Sequence, residues 1–179
     1  MIFDVEADGL LAEATKIHCM SFTADGIPMG STSDYNAMKN ILLNQKVLIG
    51  HNIIRYDVPL LEKILGIKIK AKLYDTLPMS WVINTDRPKH GLESFGEDFG
   101  IPKPEITDWV NLSEDEYIHR CQEDVKINCK LWENLIQKFM MVYKDKNNLD
   151  KFLQYLSFKM KCAYAAEDIR WKLDIDLAT

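Results

Sequence analysis

Ile2-Phe3-Asp4-Val5-Glu6 opens the chain as an apolar stretch that reads as a buried strand, yet it carries two carboxylates two positions apart. Side chains alternate along a strand, so Asp4 and Glu6 leave the same face of the pleat. Two like charges about 4 Å apart at an effective dielectric near 20 repel by roughly 4 kcal/mol. Either the strand edge is solvated or a cation sits between the acids. The spacing alone decides nothing. Glu6/Asp8, Glu114/Glu116 and Asp174/Asp176 repeat it, and most such pairs are solvated surface.

Outward from this strand, Ile17 to Phe22 reads as a second strand. The turn Ala24-Asp25-Gly26 then leads to a third near Ile27 to Gly30, giving an antiparallel meander. Ser33 is placed to cap a helix with the apolar stripe Ala37, Met38, Ile41 and Leu42, and Val47-Leu48-Ile49-Gly50 is a short buried strand. Strand, helix, strand in this order implies a right-handed parallel crossover. Val58 to Leu65 forms a helix ended by Gly66, and Ile67 to Tyr74 offers a fifth strand. The expected fold class is therefore α/β: a mixed five-stranded sheet, three antiparallel strands and then two parallel ones, flanked by helices. Asp75 to Asn84 and Leu92 to Phe99 read as short helices on either side of a polar loop, Thr85 to Gly91. Ser113-Glu114-Asp115-Glu116 has the capping-box pattern and opens a helical region that runs to about Lys144. The polar run Lys144 to Asn148 marks a boundary between residues 1–145 and an extension, 146–179, whose Leu149 to Ile169 segment reads as a packing helix.

With 179 residues and 47% hydrophobic content, the chain suffices for one packed domain and little more than an appendage. Cys19, Cys121, Cys129 and Cys162 lack metal-ligand spacing, so reduced thiols in a cytoplasmic protein are expected rather than disulfides or zinc. No signal peptide or membrane span is visible, and no membrane partner is expected. A net charge of -5 argues against a broad duplex-DNA surface. It leaves room for gripping a strand end beside bound metal ions, which would supply positive charge locally.

Asp57 follows the buried strand in His51-Asn52-Ile53-Ile54-Arg55-Tyr56-Asp57 and falls at a helix start, where capping alone would explain an acid. Asp124 lies in the long helix among Cys121, Val125 and Ile127, where a solvated helix face would be ordinary. An acid pair on the first strand, an acid after the fourth and an acid on a late helix are together what a two-metal carboxylate site needs. Asp4-Val5-Glu6-Ala7-Asp8-Gly9-Leu10, His51-Asn52 through Tyr56-Asp57, and Cys121-Gln122-Glu123-Asp124-Val125 resemble the three motifs of the DEDD 3′-to-5′ exonucleases of the RNase H-like fold. The resemblance is strongest to the proofreading domain of phage family-A DNA polymerases and covers about residues 1 to 145. Asp75-Thr76 and His90 to Gly96 also resemble segments of that domain.

What the resemblance implies is a metal-dependent exonuclease that trims single-stranded or frayed DNA 3′ ends to nucleoside 5′-monophosphates. Asp4, Glu6, Asp57 and Asp124 would hold two Mg²⁺ or Mn²⁺ ions, and the terminal nucleotide would sit against Ala7 and Leu10, with Asn52 and Tyr56 shaping the strand path. In the polymerase-linked domains a Tyr stands four residues before the last Asp, but that position here is Arg120, which cannot serve as a base. His119 matches the histidine subclass and is the expected water-positioning residue, with Tyr117 the other candidate. On an uninterrupted helix five residues turn through about 500°, so His119 serves only if the helix begins near residue 119 or 120. The segment Glu167 to Asp176 resembles the linker into a polymerase domain, implying a polymerase partner in the same or a separate chain and a phage-infected bacterial host. An exoribonuclease of the same family and a non-catalytic strand-end binding module are the competing readings.

Overall fold

The fold, obtained as a computed structural model, describes residues 1–24, 27–101, 103–104 and 112–169. The expected Asp25-Gly26 turn and the linker-like run beyond residue 169 lie outside the described residues. Elements follow in the order β1 (Ile2–Ala7), β2 (Ile17–Ala24), β3 (Ile27–Thr32), α1 (Tyr35–Leu43), β4 (Val47–Gly50), α2 (Asp57–Leu65), β5 (Lys72–Asp75), α3 (Thr76–Ile83), α4 (Leu92–Phe99), α5 (Glu114–Tyr143) and α6 (Lys146–Ile169). The sheet order is β3-β2-β1-β4-β5, with β1/β2 and β2/β3 antiparallel and β1/β4 and β4/β5 parallel.

Alternation along β1 separates the two sides of the molecule. Phe3 and Val5 enter a core with Met20, Met38, Leu42, Leu48, Leu60 and Leu61, contributed by β2, α1, β4 and α2. Asp4 and Glu6 leave the opposite face, where the Cys121 thiol of α5 donates to the Asp4 carbonyl at 3.2 Å. A second core joins α3, α4, α5 and α6 through Met79, Phe95, Ile127, Leu131, Leu135, Phe139, Leu153 and Leu156. Gly50 closes β4 where a Cβ would lie 2.1 Å from Ile53 Cγ2. Any larger residue there would push the following loop off the sheet.

Two boundaries differ from expectation. Asp34, not Ser33, caps α1, its carboxylate accepting the Asn36 N–H at 2.9 Å, while the Ser33 hydroxyl donates to Glu114. The fifth strand begins at Lys72 rather than at Ile67, because the Ile69 N–H donates to Glu62 on α2 at 2.9 Å and sheet pairing starts only with Lys72 N–H to the Lys46 carbonyl. The segment expected as a packing helix lies in α6, where Leu153 and Leu156 complete the second core, Met160 reaches the first, and Ser157 donates to the Leu73 carbonyl of β5. Among the described residues no helix is long and apolar enough to cross a membrane.

Candidate metal centre

β1 delivers two of the acids, and its pairing decides where the third comes from. Its ladder with β2 runs the whole strand, to a bulge between Glu6 and Ala7, whereas its ladder with β4 consists of Ile2 opposite Ile49. The two parallel strands part beyond that point, and the Val5 N–H favours the ionised form of Asp57 at the first turn of α2. Asp57 is 3% exposed.

The loop that carries Asp57 there is built around another carboxylate. Asp75 accepts N–H groups from Asn52 at 2.8 Å, Ile54 at 3.2 Å and Leu77 at 3.0 Å, so it holds the 52–54 turn and caps α3 at once. Asn52 adopts φ 63°, in the left-handed region that Asn tolerates better than most residues. Tyr56 donates its hydroxyl to the Gly9 carbonyl at 2.7 Å, fastening the segment after β1 to this loop. Below it, Thr76 donates to Asn128 on α5 at 2.7 Å and contacts His51 Nδ1 at 2.9 Å. Burial holds the His51 imidazole down to about 4.

Asp124, 4% exposed, comes from α5. One carboxylate oxygen from each of Asp4, Glu6 and Asp124 lies within 4.8 Å of the others. Desolvation raises all of them: Asp4 well above the carboxylate range, with Asp124, Asp57 and Glu6 adding repulsion; Glu6 to about 6, opposed by Arg120; and Asp124 upward, opposed by Lys103 and Arg120. Burial pushes Asp57 up to about 8, with Asp75 and Glu6 repelling it further. Clustered hard oxygen donors of like charge, poor at holding their own charge in this setting, are a donor set that suits Mg²⁺ or Mn²⁺.

Two basic side chains reach the same acids. Lys103 Nζ lies 2.6 Å from Asp124 Oδ1 and donates to Oδ2 at 2.8 Å, and Arg120 Nε lies 3.0 Å from Glu6 Oε1. Arg120 could be anticipated, since it stands one turn before Asp124 on the same helix face. Lys103 carried no periodic or motif signal.

His119 requires a correction. Both arms of the capping box form, Glu116 N–H to Ser113 Oγ at 3.3 Å and Ser113 N–H to Glu116 Oε2 at 2.8 Å, and they start α5 at Glu114. The helix runs unbroken past Asp124, which turns His119 to the solvent side. Its side chain is 62% exposed and faces Glu123 at 3.9 Å. Tyr117 shares the Asp124 face but lies two turns away, about 10 Å along the axis. It is buried beside Cys19 and Cys121 and stacks on His18 with ring centroids 3.9 Å apart. Of the residues expected to meet a nucleotide, Ala7 sits at the bulge that ends β1, and Leu10 is 73% exposed rather than packed in the core. A cavity of about 400 Å³ is lined in part by Lys16, His18, Ser33, Glu114 and Tyr117, without Ala7 or Leu10.

No protein-family model matches the sequence, and no curated protein matches it. Solved structures match in fold. Brucella melitensis NrnC bound to pGG superposes with a TM-score of 0.65 at 15% identity, over 90% of this chain and 82% of that one. The same protein with bound Mg²⁺ gives 0.64 at 16% identity, over 90% and 83%. A structure described as the apo form of a nuclease gives 0.68 at 14% identity, over 95% and 86%. Escherichia coli RNase D, an exoribonuclease involved in structured RNA processing, gives 0.59 at 16% identity, over 89% of this chain and 44% of that one. The mixed five-stranded sheet with flanking helices is thus the RNase H-like fold.

Proposed function

We propose that the chain is a metal-dependent 3′-to-5′ exonuclease of the DEDD type. The observation that carries this is the convergence of Asp4, Glu6 and Asp124 within 4.8 Å of one another, from a strand and a helix remote in sequence, with Asp57 buried beside them. NrnC has been solved with bound Mg²⁺ on the same fold, which supports a divalent ion here. Asp4, Glu6 and Asp124 would hold it, and Asp57 would add the fourth carboxylate. When bound, such an ion polarises water for attack on phosphorus and offsets the charge that develops on the phosphate. Four carboxylates have donors enough for two Mg²⁺ or Mn²⁺ ions, the number that the motif resemblance implies.

The chain's own part is placement. The Asp75-braced loop fixes Asp57, and the Tyr56 bond to Gly9 sets the segment bearing Leu10 at the mouth of the site, where Ala7 and Leu10 would meet the terminal nucleotide. Water adds to phosphorus, the bond from phosphorus to the 3′-oxygen breaks, the departing oxygen takes up a proton, and a nucleoside 5′-monophosphate is released. His119 has no part in these steps.

The substrate reading is a single-stranded or frayed DNA 3′ end, with proofreading beside a DNA polymerase domain as the setting that the three motifs favour. The second reading is RNA, favoured by the fold shared with RNase D and with NrnC in its pGG complex. Digestion of 5′-labelled DNA and RNA single strands side by side, with Mg²⁺ and with EDTA, tests both. Stepwise shortening from the 3′ end in Mg²⁺ alone is expected, faster on DNA. Faster shortening of RNA selects the second reading, and binding without degradation refutes both in favour of a strand-end binding module.

A further inference from the structure

Lys103 and Arg120 are set among the acids rather than on their rim. Their side chains are each 18% exposed, against 6% for Asp124 and 14% for Glu6. An ammonium or guanidinium this far out of water stays only where carboxylates compensate it. With all four acids ionised, the cluster holds four negative charges and two fixed positive ones. The remainder matches one divalent ion, and a second would lie against an ammonium and a guanidinium.

Resting on the metal-nuclease reading, we infer that the site takes one divalent ion, at Asp4, Glu6 and Asp124, and that Lys103 and Arg120 supply the charge of a second. Asp124 and Glu6 keep lone pairs for that ion while each accepts a basic partner. Arg120 is suited to the task because its charge is permanent and its fork of N–H donors matches a phosphate as well as a carboxylate. It stands one turn before Asp124, where a hydroxyl would orient water, and presents a cation instead. The two cations then face the scissile phosphate directly, doing by hydrogen bond what a second ion does by coordination.

Counting ions tests this without reference to turnover. Mn²⁺ titrated into the full chain and followed by electron paramagnetic resonance should show one bound ion with an uncoupled spectrum. Lys103→Met/Arg120→Gln should bind two, with the exchange-coupled spectrum of neighbouring ions, and Lys103→Arg/Arg120→Lys should keep one. Lys103→Gln/Arg120→Met, also expected to bind two, decides the matter if circular dichroism shows the first neutralised variant to be unfolded. Two coupled ions in the wild-type chain would overturn the inference, as would one ion in both neutralised variants. No bound Mn²⁺ in any of them would remove the metal reading with it. A chain inert on DNA and RNA that still passes from one ion to two on neutralisation would refute the nuclease reading and leave this inference standing.

Discussion

Asp57 and His119 show, side by side, what one residue's position in sequence can and cannot reveal. Asp57 was legible as an acid at a helix start, but its value lies in a strand gap: β1 and β4 part after Ile2 and Ile49, and the buried carboxylate comes near enough to Asp4 and Glu6 to raise them or be raised by them. Nothing local in the sequence encodes that splay. His119 stood at the expected spacing from Asp124, and the capping box at Ser113, equally visible, was the stronger signal because it fixes where the helix starts and so which way residue 119 points. Two predictions follow at this scale. Asp4→Ala and Asp57→Asn each lower kcat by at least about 10²-fold, since even groups one step removed from a metal cost 10 to 100-fold; near wild-type turnover in Mg²⁺ by either variant would contradict the site. His119→Ala leaves turnover unchanged and shifts stability by less than about 0.5 kcal/mol, as for other exposed positions; a large loss of kcat in single-turnover assays would restore the histidine role.

Among the elements, the turn between β4 and α2 depends on an acid contributed by neither. The order of strands and helices was readable from alternation and apolar stripes, and the capping box marked α5 to the residue. The edge of β5 and the cap of α1 were not, because each turns on a single side-chain bond outside the periodic pattern: Ile69 N–H to Glu62, seven residues earlier, and Ser33 to Glu114, drawn off to a distant helix. Asp75 is the extreme case. Read locally it is a helix cap, yet two of its three bonds go to residues more than 20 positions earlier. Asp75→Ala removes a cap and strands two enclosed N–H groups, for a cost of about 2 to 4 kcal/mol. It should also slow turnover, because Asp57 loses the loop that aims it. Asp75→Asn, which keeps acceptor geometry on one oxygen, should recover part of both in urea unfolding and in digestion assays. Equal loss in the two variants would mean that charge rather than hydrogen bonding is what matters there. Truncation after residue 145 makes the corresponding test of α6: without Leu153, Leu156 and Met160 the second core is open and the first is breached. The shortened chain should lack a cooperative thermal transition, and a sharp one near the full-length midpoint would show that residues 1–145 fold without α6.

For the molecule as a whole, the acid cluster trades stability for metal affinity, and pH exposes the trade. Burial raises Asp57 to about 8 and Glu6 to about 6, and raises Asp4 and Asp124 as well, whereas in the unfolded chain these groups titrate near 4. Above pH 4 the folded, metal-free protein therefore binds more protons than the unfolded chain, and its stability falls as pH rises through the folded values. His51 works the other way below about 6.5: held down to about 4, it stays neutral in the fold while the unfolded chain takes up a proton, so acidification through that range is destabilising. The interval from about pH 6.5 to 8 lies above the His51 range, and there the raised carboxylates Asp4 and Asp57 carry the slope. In EDTA the thermal midpoint should drop across that interval. In saturating Mg²⁺ it should hold level, because the ion favours the ionised acids that the bare fold disfavours, and its stabilisation should be greatest at pH 8. Asp57→Asn should lessen the slope in EDTA without abolishing it, because Asp4 remains. Identical midpoint curves with and without Mg²⁺ would mean that the cluster is neutralised by the protein alone, and would count against a divalent ion at this site.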